Sequence, residues 1–173
     1  MKKARIFTLF LIIFAPIVVS AQRLSPRSTV EAFYKFDRSH PQTFSRRNID
    51  ARKRWFSAPL YRMFLNELRL ESAYLKKHPD DKAFFGDGLP FSPYEESCGV
   101  AGRSYSSKYN VGRTTMTRNA ADVTITVSWP DPCKLAPDRY RVRLVLERSV
   151  WKVDDIIYSD GRTLAQDIRA HRY

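Results

Sequence analysis

The stretch YRVRLVLERSVWKVDDIIY, residues 140–158, decides the fold, because it carries the strongest two-residue alternation in the chain. Tyr140, Val142, Leu144 and Leu146 fall on one face, and Arg141, Arg143 and Glu147 mostly on the other, the period of a strand with one buried side. Arg148 to Val150 read as a short turn. After it, Trp151, Val153, Asp155 and Ile157 share one face and Lys152, Asp154, Ile156 and Tyr158 the opposite one. The stretch therefore predicts an antiparallel hairpin. Strict alternation also puts Asp154 and Asp155 on opposite faces, so the two acids cannot act together.

Upstream, two further strands are expected, about Ser104 to Met116 and Asp122 to Trp129, joined by a turn at Arg118 to Ala121. Val123, Ile125, Val127 and Trp129 alternate with Thr124, Thr126 and Ser128. Pro130, Pro132 and Pro137 mark the connection to the hairpin. With the hairpin, these strands make a four-stranded antiparallel meander.

Three helices precede the sheet. Ser28 and Glu31 match a capping box for a first helix ending near Ser39, with Thr29, Phe33, Phe36 and His40 on one side beside Val30 and Asp37. His40, one residue before Pro41, reads as a solvated helix end. A short second helix, Ile49 to Phe56, opens at Asn48 or Asp50 and turns Arg52, Lys53 and Arg54 outward. Ser57 caps the longest helix, which tolerates Pro59 in its first turn and runs to about Lys77 before Pro79. Leu60, Tyr61, Met63, Phe64, Leu65, Leu68, Leu70, Tyr74 and Leu75 cover a wide arc of it, predicting cover on more than one side. Arg62, Asn66, Arg69, Lys76 and Lys77 fill the remaining stripe. Thr163 to Arg169 is expected to close the chain as a short helix with Leu164 and Ile168 inward.

Near the middle of the apolar arc of the long helix stand Glu67 and Glu71, four residues apart and stacked on one face. Unpaired burial would cost several kcal/mol or raise their pKa, so they need a cation, a shared proton or water. A salt bridge to Arg141 or Arg143 is the structural expectation, and a functional pocket is the other.

Residues 79–103 combine prolines and glycines and read as irregular chain, with Phe84, Phe85, Leu89, Phe91 and Tyr94 tucked against the helices. Asp80, Asp81 and Asp87 lack the alternating ligand spacing of a calcium loop. Cys98 and Cys133, with His40, His78 and His171, show no metal-ligand spacing either, so neither metal nor cofactor is expected. The even cysteine pair reads as a disulfide closing 35 residues, a constraint of about 4 kcal/mol in chain-entropy models, with two structural thiols as the alternative.

Residues 1–21 have the form of an export signal: Lys2, Lys3 and Arg5, an apolar run from Ile6 to Val19, and small residues up to Ala21 before Gln22. Cleavage there leaves 152 of 173 residues as one domain, 22–173, periplasmic or secreted. Loss of three leader cations takes the formal charge from +12 to +9, which reads first as a solvated basic surface and would also attract anionic envelope polymers or acidic partners. Nucleic acid is a poor match for an exported chain. Arg52, Lys53, Arg54, Arg62, Arg69 and Lys76 are the basic-surface candidates.

The order of elements is that of an α+β roll, a curved sheet around a long helix. TVEAFYKF at 29–36, the capped long helix and WKVDDIIYSDGRTL at 151–164 resemble an exported bacterial family, domain of unknown function 3828, within the nuclear transport factor 2-like superfamily. The resemblance covers about Ser25 to Ile168 and rests on short motifs. Where that family has an Asp-Pro-Phe step, this chain has Leu89-Pro90-Phe91. The resemblance implies a cone-shaped fold and export, with no established activity.

Beside electrostatic attachment to anionic envelope polymers through the basic-surface candidates, two functions fit this chain. One is a non-catalytic envelope module binding a small ligand or protein through a conical pocket and basic rim, favoured by the lack of any paired nucleophile and base or phosphate loop. The other is an isomerase or dehydratase with Glu67, Glu71 or Asp155 as base and Tyr34 or Tyr61 as donor. Trp151 is a further pocket candidate, and the open sheet face leaves homodimerisation undecided.

Overall fold

The computed structural model describes residues 24–86, 90–91 and 97–171. The export signal expected at 1–21, and Asp87, Leu89 and Tyr94, lie outside the described residues. Among the described residues, four helices, a four-stranded antiparallel sheet and a two-stranded sheet make a mixed α+β fold.

Helix α1 spans Pro26–Arg38 and is capped by Ser25, whose side chain accepts from the Ser28 backbone N–H. The cap thus falls three residues ahead of the predicted box: with proline tolerated in the first turn, the helix starts earlier. Its buried side holds Val30, Phe33, Tyr34 and Asp37, not Phe36 and His40. The His40 ring instead stacks on Phe36 with centroids 3.7 Å apart, and its Nδ1 lies 2.7 Å from the Phe36 carbonyl. Helix α2, Arg46–Arg52, is capped by Ser45, again earlier than predicted. Helix α3, Ala58–Leu75, starts at the predicted Ser57 cap.

Strands β1 (Ser97–Val100) and β2 (Arg103–Ser106) form a small hairpin that alternation did not reveal. Strands β3 (Lys108–Met116), β4 (Ala120–Ser128), β5 (Asp138–Glu147) and β6 (Val150–Ile157) form the expected meander in the order β3-β4-β5-β6. Val123, Ile125, Val127, Tyr140, Val142 and Leu144 line its core face. Helix α4, Leu164–Ala170, closes the chain with a full capping box between Thr163 and Gln166.

Two register shifts interrupt the ladder. One falls between Val111 and Thr114 on β3, the other opposite Arg143 and Leu144, where β6 carries one extra residue. Arg143 pairs with Asp155 while Leu144 pairs with Val153, so Asp154 is the bulged residue. The bulge breaks the predicted alternation: Val153 and Ile156 face the core, and Asp155 and Ile157 the other side. Bulges bend a strand and increase its twist.

Helix α3 is held to the edge of β6 by the segment before it. The Ser57 N–H donates to the Val153 carbonyl and the Val153 N–H to the Trp55 carbonyl, each at 2.8 Å, which satisfies edge groups that water would otherwise fill. Beneath α3, Phe44, Phe56, Phe64, Phe85 and Phe91 form an aromatic cluster with centroid separations from 4.5 to 6.5 Å. Phe85 and Phe91 lie in the core, as the aromatic content of 79–103 predicted, but that stretch is not irregular throughout, since β1 and the start of β2 fall within it. Each fully buried Phe contributes about 1.5–3 kcal/mol relative to exposure.

Cys98 and Cys133 form the predicted disulfide, with Cα atoms 6.0 Å apart. It ties β1 to a 3-10 turn, Asp131–Cys133, between β4 and β5. Among the described residues, no helix is long and apolar enough to cross a membrane.

Candidate functional site

The buried line of α3 is narrower than its apolar arc. Leu60, Phe64, Glu67 and Glu71 are its buried residues, at the i, i+4, i+7, i+11 spacing of one face. Tyr61, Met63, Leu65, Leu68, Leu70, Tyr74 and Leu75 are only half-buried. Two acids thus occupy half of the helix's most protected stripe, as their positions predicted.

The expected ion pairs to Arg141 and Arg143 do not form. Both arginines face Asp122 on β4: Arg143 Nε and Nη2 donate to Asp122 Oδ1 at 3.0 Å and Oδ2 at 3.3 Å, and Arg141 Nη1 donates to Oδ2 at 3.3 Å. The register explains this, since Asp122 lies directly opposite Arg143 on the sheet face turned away from α3. Glu71 keeps one buried carboxyl oxygen without a hydrogen-bond partner. Burial, and then the charge of Glu67, push its carboxyl up to about 7.

The other pocket candidates are engaged elsewhere. Asp155 Oδ1 accepts from the Ala165 N–H at 3.0 Å and from Ile156 N–H at 2.9 Å, placing a carboxylate at the start of α4. The Tyr61 hydroxyl donates to Asp50 Oδ1 at 2.5 Å on the outer side of α3. Tyr34 is buried on α1, its ring stacked on Tyr109 at 5.1 Å and edge-on to Tyr140 at 6.3 Å. Burial raises its phenol well above the ordinary value, offset partly by Tyr140, and the charge it feels comes from Tyr109, Asp37 and Tyr158 rather than from either glutamate. Trp151 is half-buried and packs against the core beside Leu146. The residues suggested as base and donor are not gathered at one place.

Of the six basic candidates, Arg52 is not on the surface. Its side chain is 0% exposed: Nε donates to Asp37 Oδ1 at 2.5 Å, Nη1 to the Asn48 carbonyl and Nη2 to the Pro41 carbonyl, and the guanidinium lies 4.0 Å from the Phe91 ring centroid. Arginine's planar fork suits such a buried multipoint contact. The functional reading missed this pair, although Asp37 continues the Val30–Phe33 stripe and Arg52 lies three residues after buried Ile49.

Lys53, Arg54, Arg62, Arg69 and Lys76 are exposed. Arg62, Arg69 and Lys76 recur every seventh residue along one side of α3, about 10 Å apart in rise. Lys53 lies over Tyr61, Arg54 over Phe36 and Trp55, and Arg69 donates to Asn66; among the described residues none of the five is ion-paired. At the N-terminal end of α3, a cleft of about 290 Å³ is lined by Lys53, Tyr61, Arg62, Lys152 and Glu147, with Glu147 Oε1 accepting from the Ala58 N–H at 3.1 Å.

No protein-family model, curated protein or solved structure matches this chain.

Proposed function

We propose that this chain is an exported, non-catalytic binding module of the cell envelope that holds an anionic partner along the basic side of α3. One observation carries the reading: Lys53, Arg54, Arg62, Arg69 and Lys76 stand exposed without a carboxylate partner, and the cleft of Lys53, Arg62 and Lys152 continues the row. Exposed cations without a carboxylate partner on a basic protein attract polyanions over about a Debye length. The Cys98–Cys133 disulfide is compatible with an oxidising compartment.

The architecture belongs in this reading to the cone-shaped nuclear transport factor 2-like rolls. Supporting it are the helices-then-meander order and the two bulges that bend β3 and β6. Long-chain polyphosphate is the test ligand: binding to immobilised polyphosphate should fall steeply as salt rises, and binding indifferent to salt would refute the electrostatic mechanism.

The enzyme reading has one observation in its favour, the Glu71 carboxyl held near neutrality by burial and Glu67. It requires a ligand that reaches that carboxyl. If 4-nitrophenol leaves the Glu71 titration unchanged, the reading loses its support.

A further inference from the structure

A second basic site lies on the sheet, away from α3. Strand β5 begins at Asp138, but the pairing of β6 with it ends at Ile157 opposite Arg141. Arg139 and Tyr140 therefore extend past the last β6 partner. The chain leaves through a turn closed by Gly161 N–H donating to the Tyr158 carbonyl at 3.1 Å, with Gly161 at φ +86, a conformation suited to glycine. What remains is a notch of about 310 Å³ lined by Thr124, Arg139, Arg141, Ile157, Tyr158 and Ser159, at the lower end of small-ligand pockets.

The charge balance of the notch favours an anion. Arg139, Arg141 and Arg143 alternate along β5 and so share its outer face with Thr124 and Asp122. Asp122 holds Arg143 through two contacts and Arg141 through one at 3.3 Å, and Asp155 faces Arg143 from β6, so the acids of the row gather at Arg143 and away from Arg139. The Arg139 side chain has no ion pair or hydrogen bond among the described residues. The nearby acids Asp160 and Asp167 are taken by Arg162, at 2.7 and 3.2 Å. Beside the two guanidinium groups, Thr124 and Ser159 offer hydroxyls and half-buried Tyr158 offers an apolar wall, Ile157 being buried.

From this arrangement we infer that the notch binds a phosphorylated sugar, free or as a unit of an anionic glycan. Guanidinium groups pair with phosphate oxygens through parallel N–H donors. The hydroxyls and the wall match a polyhydroxylated ring with one apolar face, which inorganic phosphate lacks.

The test is an amide NMR titration of the folded protein with glucose 6-phosphate, inorganic phosphate and glucose. Glucose 6-phosphate should shift the amides of Thr124, Ser159 and Gly161 and bind more tightly than either fragment. Arg139→Ala and Arg141→Ala should each weaken it about tenfold. Both side chains are exposed or half-exposed, so the fold survives these changes. A triple change of Arg62, Arg69 and Lys76 to serine should leave this titration unaltered, which separates the site from the α3 surface. Shifts unaffected by the two β5 variants, or inorganic phosphate binding as tightly as the sugar phosphate, would overturn the inference.

Discussion

Arg52 Nε lies 2.5 Å from Asp37 Oδ1 with both side chains fully buried, so α2 is locked to α1 by a charge pair inside the core. Burial raises the Asp37 carboxyl and the Arg52 charge opposes that rise. Two further Arg52 donors reach main-chain carbonyls, and Phe91 covers the guanidinium face. Arg52→Ala leaves a carboxylate without its cation, a loss of about 3–5 kcal/mol. Chemical denaturation should report that loss, and a double change of Arg52 and Asp37 to Met and Leu should recover most of it. An Arg52→Ala variant as stable as the parent would contradict the assignment.

Glu71 makes stability fall with rising pH. Its folded pKa, about 7, stands above the ordinary glutamate value, so between about 4.5 and 7 the folded chain keeps a proton that the unfolded chain has released. The contribution is complete below that window and is lost as pH rises through it. Thermal melts of Glu71→Gln should show a weaker pH dependence and, at pH 8, a Tm higher by about 2–4 °C for each kcal/mol regained. Identical pH profiles for variant and parent would remove Glu71 as the cause.

The loop between Cys98 and Cys133 encloses β2, β3 and β4, so the disulfide restrains half of the meander in the unfolded chain. Cys98→Ser together with Cys133→Ser should lower unfolding free energy by about 2–5 kcal/mol, and reductant should do the same to the parent but not to the variant. Urea denaturation with and without reductant measures both.

At the tip of the β5–β6 hairpin, Arg148 and Ser149 take φ of 48° and 69°, the left-handed pair that a two-residue turn needs between Glu147 and Val150. Neither is glycine or asparagine. Ser149→Gly should therefore stabilise the fold by about 0.5–1 kcal/mol, seen as a raised melting temperature. A lowered one would show that the side chain has a role beyond the turn.

Much of this fold is legible because its signals are local. The Tyr140–Tyr158 alternation marks the hairpin, and Ser57 with Pro59 marks the start of α3. Glu67 and Glu71 are conspicuous because helical spacing aligns them with Leu60 and Phe64. What escaped depends on pairing across the chain. The extra residue at Asp154 is defined only against Arg143 and Leu144 on the facing strand, and it turns Asp155 from a pocket candidate into a ligand of the α4 start. Asp122 captures both arginines through cross-strand register, which residue types do not encode. Arg52 read as surface because its partner Asp37 lies 15 residues away on another helix. The β1–β2 hairpin has too few residues per strand for alternation to register.

The most direct test of the central claim is the salt dependence of polyphosphate affinity in the parent chain and in a variant with Arg62, Arg69 and Lys76 changed to serine. The basic row of α3 predicts that the plot of log affinity against log salt becomes shallower and that low-salt affinity drops at least about tenfold in the variant. Equal slopes and equal affinities in the two proteins would contradict it.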